Sequence, residues 1–234
     1  MAAGRPSRPD GPAEDAPLAF PHVAFDLDGT LLDTRADLAA ATNHVLRTCG
    51  RPEIPPETVF GLVGDGARRL VEKALGDGDA ALVERGIADF MAWYGEHCLD
   101  ATVPYPGMVD ALDALAAAGC TLTVLTNKPE ALSRTILDGL GLGRRFAAVV
   151  GGDTLPTRKP DPAGLAWLCA RTGTPAARTL LVGDSGIDVR TARAAGADFC
   201  GVAWGLTPDG MWAAGPARVV DAPAALLDVV RGRA

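Results

Sequence analysis

Short apolar runs recur along the chain at residues 23–27, 122–125, 147–150, 180–182 and 199–202, with a weaker one at 218–220. Runs of this length, bounded by Gly, Pro or polar residues, read as buried strands. The stretches between them carry helical spacing. Met108, Ala111, Leu112 and Leu115 fall on one helical face, and Leu165, Leu168 and Cys169 repeat the pattern. Asp161 followed by Pro162 reads as an N-cap with proline in the first turn. Thr126 and Pro129 suit a turn leading into a helix. Strands that alternate with helices must run parallel and be joined by crossovers, so the pattern predicts an α/β sheet covered on both faces.

From about Thr34 to Tyr105 the rhythm changes. No strand pattern is visible there, and the apolar spacing is helical at 38–49, 67–75 and 80–99. Pro52, Pro55 and Pro56 punctuate the first gap, and Gly76 and Gly78 the second. The expected organisation is an α/β core from 18–33 and 106–234, with an all-helical insert at 34–105. Residues 1–17, rich in Pro, Gly and Ala, read as a disordered tail.

Composition narrows the function classes. The net charge of −7 argues against nucleic acid, whose phosphates require clustered Lys and Arg. It leaves room for one small anionic substrate, because a bound metal can reverse the sign of a site. The five cysteines (Cys49, Cys98, Cys120, Cys169, Cys200) are scattered and the three histidines (His22, His44, His97) lack ligand spacing. Neither a zinc site nor a disulfide framework is expected. The tail lacks the apolar centre of a secretory signal, and no run is long enough to span a membrane. A cytoplasmic protein, monomer or homodimer, without a nucleic-acid or membrane partner, is the expectation.

Polar and acidic residues gather where the strand patterns end, the place at which open α/β sheets bind ligands. The first strand runs into Asp26-Leu27-Asp28-Gly29-Thr30, and a period of two would send both aspartates to one face. Carboxylates that close repel unless a cation or proton joins them. The second runs into Thr126-Asn127-Lys128-Pro129, a hydroxyl and backbone donors suited to an anion. Lys159-Pro160-Asp161-Pro162 follows the third, and Gly183-Asp184-Ser185 ends the fourth, with Asp188 one helical turn on. Each alone reads as a turn, a helix cap or a surface lysine. Their succession at four strand ends reads as one site.

At these residues the chain resembles the haloacid dehalogenase superfamily of phosphatases. Asp26 to Thr30 looks like its first motif, Thr126 its second, Lys159 its third, and Gly183 to Asp188 its fourth. The resemblance implies a Rossmann-like parallel core of strand order 5-4-1-2-3 and identifies the helical insert as a cap domain. It further implies magnesium-dependent hydrolysis of a small phosphate monoester. Asp26 would be the nucleophile and Asp28 the acid and base. Mg²⁺ would be held by Asp26, the Asp28 backbone carbonyl and Asp184. Thr126, Lys159 and backbone N–H groups near Gly29 and Asn127 would hold the phosphoryl oxygens, with Asp188 behind them orienting Lys159 or metal-bound water. Leu125 to Pro129, Val150 to Asp153 and Gly201 to Gly205 look more narrowly like bacterial phosphoglycolate phosphatases, which implies 2-phosphoglycolate as substrate.

The core motifs would bind only the phosphoryl end, so the insert should choose the substrate. Gly61 to Arg69 forms a glycine-containing lead into a helix carrying Arg68 and Arg69, which could read a carboxylate. Phosphatases for pyrophosphate or a sugar phosphate are the nearest alternative. A phosphomutase shares both aspartates. A dehalogenase would lack an acid such as Asp28, and a catalytically silent Mg²⁺-binding module would not need the full motif set.

Overall fold

The structure, a computed structural model, describes residues 17–76 and 79–233. Almost all of the expected disordered tail lies outside the described residues.

In chain order the elements are β1 (His22–Phe25), β2 (Leu32–Asp33), α1 (Arg35–Thr48), α2 (Pro56–Phe60), α3 (Ala67–Leu75), α4 (Ala80–His97) and β3 (Val103–Pro104). There follow α5 (Met108–Ala117), β4 (Thr121–Leu125), α6 (Glu130–Gly139), β5 (Ala148–Val150), α7 (Ala163–Thr172), β6 (Thr179–Gly183) and α8 (Gly186–Ala195). The chain closes with β7 (Asp198–Val202), α9 (Pro208–Ala213), β8 (Val219–Val220) and α10 (Leu226–Val230).

Six strands form one sheet in the order β5-β4-β1-β6-β7-β8, every pairing parallel. Counting only the five longer strands of this sheet, the order read from β7 is fifth, fourth, first, second, third. The weak run near Val220 adds a sixth strand at the edge. Side-chain alternation splits the core in two. Val23, Phe25, Leu122, Val124, Leu180 and Val182 join one apolar cluster with residues of α5, α6 and α10. Ala24, Leu125 and Leu181 join the other, with residues of α7 and α8. Helices thus cover both faces, which explains why the strands read as continuous apolar runs.

The N-terminal ends of the central strands are joined by a buried histidine. His22 reaches Thr179 Oγ1 through Nδ1 (3.1 Å) and Thr123 Oγ1 through Nε2 (2.8 Å). Burial lowers its pKa to about 4, so it is neutral there. The five cysteines are all free. Among the described residues no helix is long and apolar enough to cross a membrane.

Helices α1 to α4 pack on one another, with α1 touching the other three. The expected helices appear, but two details differ. A five-residue helix, α2, occupies the proline-marked gap, with Pro56 at its first position where no N–H is needed. The segment also contains a strand: β3 pairs antiparallel with β2, Leu32 against Pro104 and Asp33 against Val103. This two-residue ribbon lies where the chain leaves the sheet for the helices and where it returns. At α7 the N-cap is Pro162 rather than Asp161, although the Asp161 carboxylate still accepts from Ala163 N–H (2.9 Å).

Candidate active site

Strand register assembles the site. Phe25 lies level with Val124 and with Val182. The residues that follow the central strands, Asp26, Thr126 and Asp184, therefore emerge side by side at the C-terminal edge of the sheet. Asp26 N–H donates to Val182 C=O (2.9 Å), and Thr126 N–H to Val150 C=O (2.9 Å).

Asp26, Asp184 and Asp188 bring carboxylate oxygens within 4.8 Å of one another, all three residues buried. Lys159 Nζ joins two of them, 2.9 Å from Asp26 Oδ1 and 2.6 Å from Asp188 Oδ1. Leu27 N–H also donates to Asp26 Oδ1 (2.7 Å). Asp188 is held further by Ser185, whose hydroxyl donates to Oδ2 (2.5 Å) in a capping box that starts α8. Asp184 Oδ2 accepts from Leu206 N–H (2.6 Å) and Thr207 N–H (3.2 Å), and Oδ1 from the Thr30 hydroxyl (3.3 Å).

Burial raises the Asp26 pKa to about 7, with repulsion from Asp188 and Asp184 adding to the rise and Lys159 opposing it. Burial likewise raises Asp184 to about 6, helped by Asp188. The site thus carries more negative charge than its own cations neutralise.

Asp28 goes elsewhere. The strand pattern ends at Phe25, and the chain turns through Gly29 at φ +81°. The Asp28 carboxylate therefore has a different ammonium partner from Asp26, although period two would send both side chains to one face. Its carboxylate pairs with Lys128 Nζ at 2.7 and 3.0 Å. Lys128 is the residue that the sequence reading overlooked: the motifs supply two buried ammonium groups, not one. Its Nζ also lies 4.8 Å from the centre of the Tyr94 ring, on α4.

The Gly29 N–H is committed to Leu32 C=O (2.9 Å). A side chain at Gly29 would place its Cβ 2.5 Å from Asp184 Oδ2, so only glycine lets the turn approach that carboxylate. The Asn127 side chain ties the helical segment to the core: Nδ2 donates to Gly64 C=O (2.9 Å) and to Lys159 C=O (3.0 Å).

A cavity of about 620 Å³, including its open mouth, lies between the sheet edge and the helices. Asp26, Asp28, Thr126, Asn127, Lys128 and Asp184 line it from the core, and Leu38, Gly66, Ala67, Leu70, Phe90 and Tyr94 from the helical segment. Arg68 and Arg69 do not line it. Both are exposed, Arg68 paired with Glu84 (2.7 Å) and Arg69 with Glu72 (2.7 Å).

These residues match a known family. The model of the haloacid dehalogenase-like hydrolases matches residues 23–202, from the first strand through the fifth strand of the core. The chain belongs to that family. Among curated relatives, a phosphoglycolate phosphatase of Pseudomonas fluorescens is 43% identical over 189 residues, 78% of this chain and 69% of the relative. One of Agrobacterium fabrum is 39% identical over 210 residues, 88% of this chain and 90% of the relative. Among solved structures, a predicted phosphoglycolate phosphatase from Haemophilus somnus superposes with a TM-score of 0.83 at 30% identity, covering 90% and 98% of the two chains. In a haloacid dehalogenase-like hydrolase of this kind the all-oxygen donor set of Asp26 and Asp184 fits a hard divalent cation. The charge balance agrees. Around Lys159, three carboxylates (Asp26, Asp184, Asp188) face one ammonium group, a deficit equal to one such ion.

Proposed function

We propose that this chain hydrolyses 2-phosphoglycolate to glycolate and phosphate through an aspartyl-phosphate on Asp26. The observation that carries the reading is a buried carboxylate at the floor of a cavity, held by Lys159 and short of positive charge. Its relatives' names supply the substrate.

Asp26 attacks phosphorus through a carboxylate oxygen, and the bond to the leaving alkoxide breaks. Asp28 gives its proton to that alkoxide. Water then attacks phosphorus, Asp28 takes the proton from it, and the Asp26 carboxylate leaves. Lys159 and Thr126 hold oxygens of the transferring group, and Asp188 with Ser185 fixes the position of Lys159. Asp26, Asp184 and the Asp28 carbonyl would hold Mg²⁺, which supplies positive charge where nucleophile and phosphoryl group, both anionic, must meet.

Acid-quenched enzyme should carry phosphate on the peptide containing Asp26, read by mass spectrometry. Asp26→Asn should abolish turnover, because an amide is a very poor nucleophile. Phosphate trapped on another residue would sink the assignment.

A further inference from the structure

The phosphoryl group of a substrate is accounted for by Asp26, Thr126 and Lys159. What recognises the remainder is not. For phosphoglycolate the remainder is one carboxymethyl group, so its reader must be a cation or a set of donors inside the cavity.

Among the described residues that line the cavity, Lys128 is the only cation. Its surroundings are built around its charge. The residue is 6% exposed, its ammonium lies against Asp28 on the core side, and it faces the Tyr94 ring on the helical side. Burial works against the charge, but Asp28 and then Tyr94 outweigh it, so the group stays protonated. Leu38, Leu70, Phe90 and Leu132, also in the lining, have side chains that offer nothing to an anion, and Ser185 and Thr207 bring only neutral hydroxyls. Arg68 and Arg69, the cations expected to do this work, are spent on surface glutamates. Arg158, whose Nη1 lies beside Gly66, is exposed and lines no part of the cavity.

We infer that Lys128 is the specificity-determining residue, its ammonium taking the substrate carboxylate at the seam between Asp28 and Tyr94. The inference rests on the phosphoglycolate reading. An ammonium has three donors. Lys128 can therefore hold Asp28 and a substrate carboxylate together, which places the acid and the leaving group on one cation. Low local dielectric makes such a contact discriminating, because an ester without the carboxylate leaves a donor unmatched.

The test compares kcat/KM for 2-phosphoglycolate and for ethyl phosphate, which lacks the carboxylate. Lys128→Gln should lower the ratio of the two about ten- to a hundredfold, the range of one charge-assisted contact. Because Lys128 also touches Asp28, kcat should fall for both esters, and the added rise in KM should be confined to phosphoglycolate. Lys128→Arg keeps a cation in place and should retain most of the preference. Arg68→Ala, Arg69→Ala and Arg158→Ala should leave the ratio near that of the wild type. A wild-type ratio retained in Lys128→Gln, or a preference lost equally in Lys128→Arg, overturns the role of Lys128 while the phosphoglycolate reading stands. A wild type without preference for phosphoglycolate removes the reading and this inference with it.

Discussion

At the scale of single residues, Asp184 shows how closely backbone and carboxylate are fitted. Two N–H groups and a hydroxyl orient it, and Gly29 and Gly205 leave it room that a Cβ would take. Removing the carboxylate removes a metal ligand from the proposed site. Asp184→Ala should raise the Mg²⁺ concentration for half-maximal activity by about tenfold or more, measured by metal titration. Gly29→Ala should act in the same direction, since its methyl group must displace Asp184 and since φ +81° is strained for alanine. An unchanged metal requirement in Asp184→Ala would take that residue out of the ligand set. Asp26 and Asp184 were legible in sequence because each follows a short apolar run bounded as a buried strand. Lys128 was not. A lysine before proline is ordinarily solvated, and what buries this one is Tyr94, delivered by a helix remote in sequence. Arg68 and Arg69 misdirect for the converse reason: the helix they begin turns Ala67 and Leu70, not the arginines, to the cavity.

At the scale of elements, the long strands could be read because they are buried on both faces, and α1, α3 and α4 because their apolar spacing is sustained. The elements that escaped are the short ones. Two residues each of β2 and β3 carry no period, and α2 hides among prolines that suggest only a loop. Those short strands nevertheless set the junction of sheet and helices, and a buried carboxylate secures it. Asp37, in the first turn of α1, accepts from Ala101 N–H (3.0 Å), Thr102 N–H (2.8 Å) and the Thr102 hydroxyl (2.7 Å), just where the chain enters β3. Asp37→Ala would leave the two buried Thr102 donors unmatched, at a cost on the order of 3 kcal/mol. Denaturant titration should show that loss, and Asp37→Asn, which retains an acceptor oxygen, should show less. Equal stability of wild type and Asp37→Ala would mean that the ribbon is held by its own pairing alone.

At the scale of the whole molecule, a protein of net charge −7 concentrates buried carboxylates at the one place where it must receive an anion. Without metal this arrangement opposes folding, and the sign can be worked out. Asp26 and Asp184 have folded-state pKa values raised from 3.8 to about 7 and about 6. Between about pH 4 and 7 the metal-free native state then binds more protons than the unfolded chain. Stability from these two groups is fully present below pH 4 and is lost as pH rises through 7. His22 acts oppositely: its pKa, lowered to about 4, favours the folded state as pH rises from 4 to 6.5. It lies at the far end of the sheet and is the same with or without metal, so it cancels in a difference measurement. Mg²⁺ competes with protons for the two aspartates and stabilises only the native state. The rise in Tm from EDTA to saturating Mg²⁺ should therefore be small at pH 5 and larger at pH 8, followed by thermal melts on one preparation. A rise that is flat across that range, or that shrinks, would mean that the cation does not replace protons on Asp26 and Asp184.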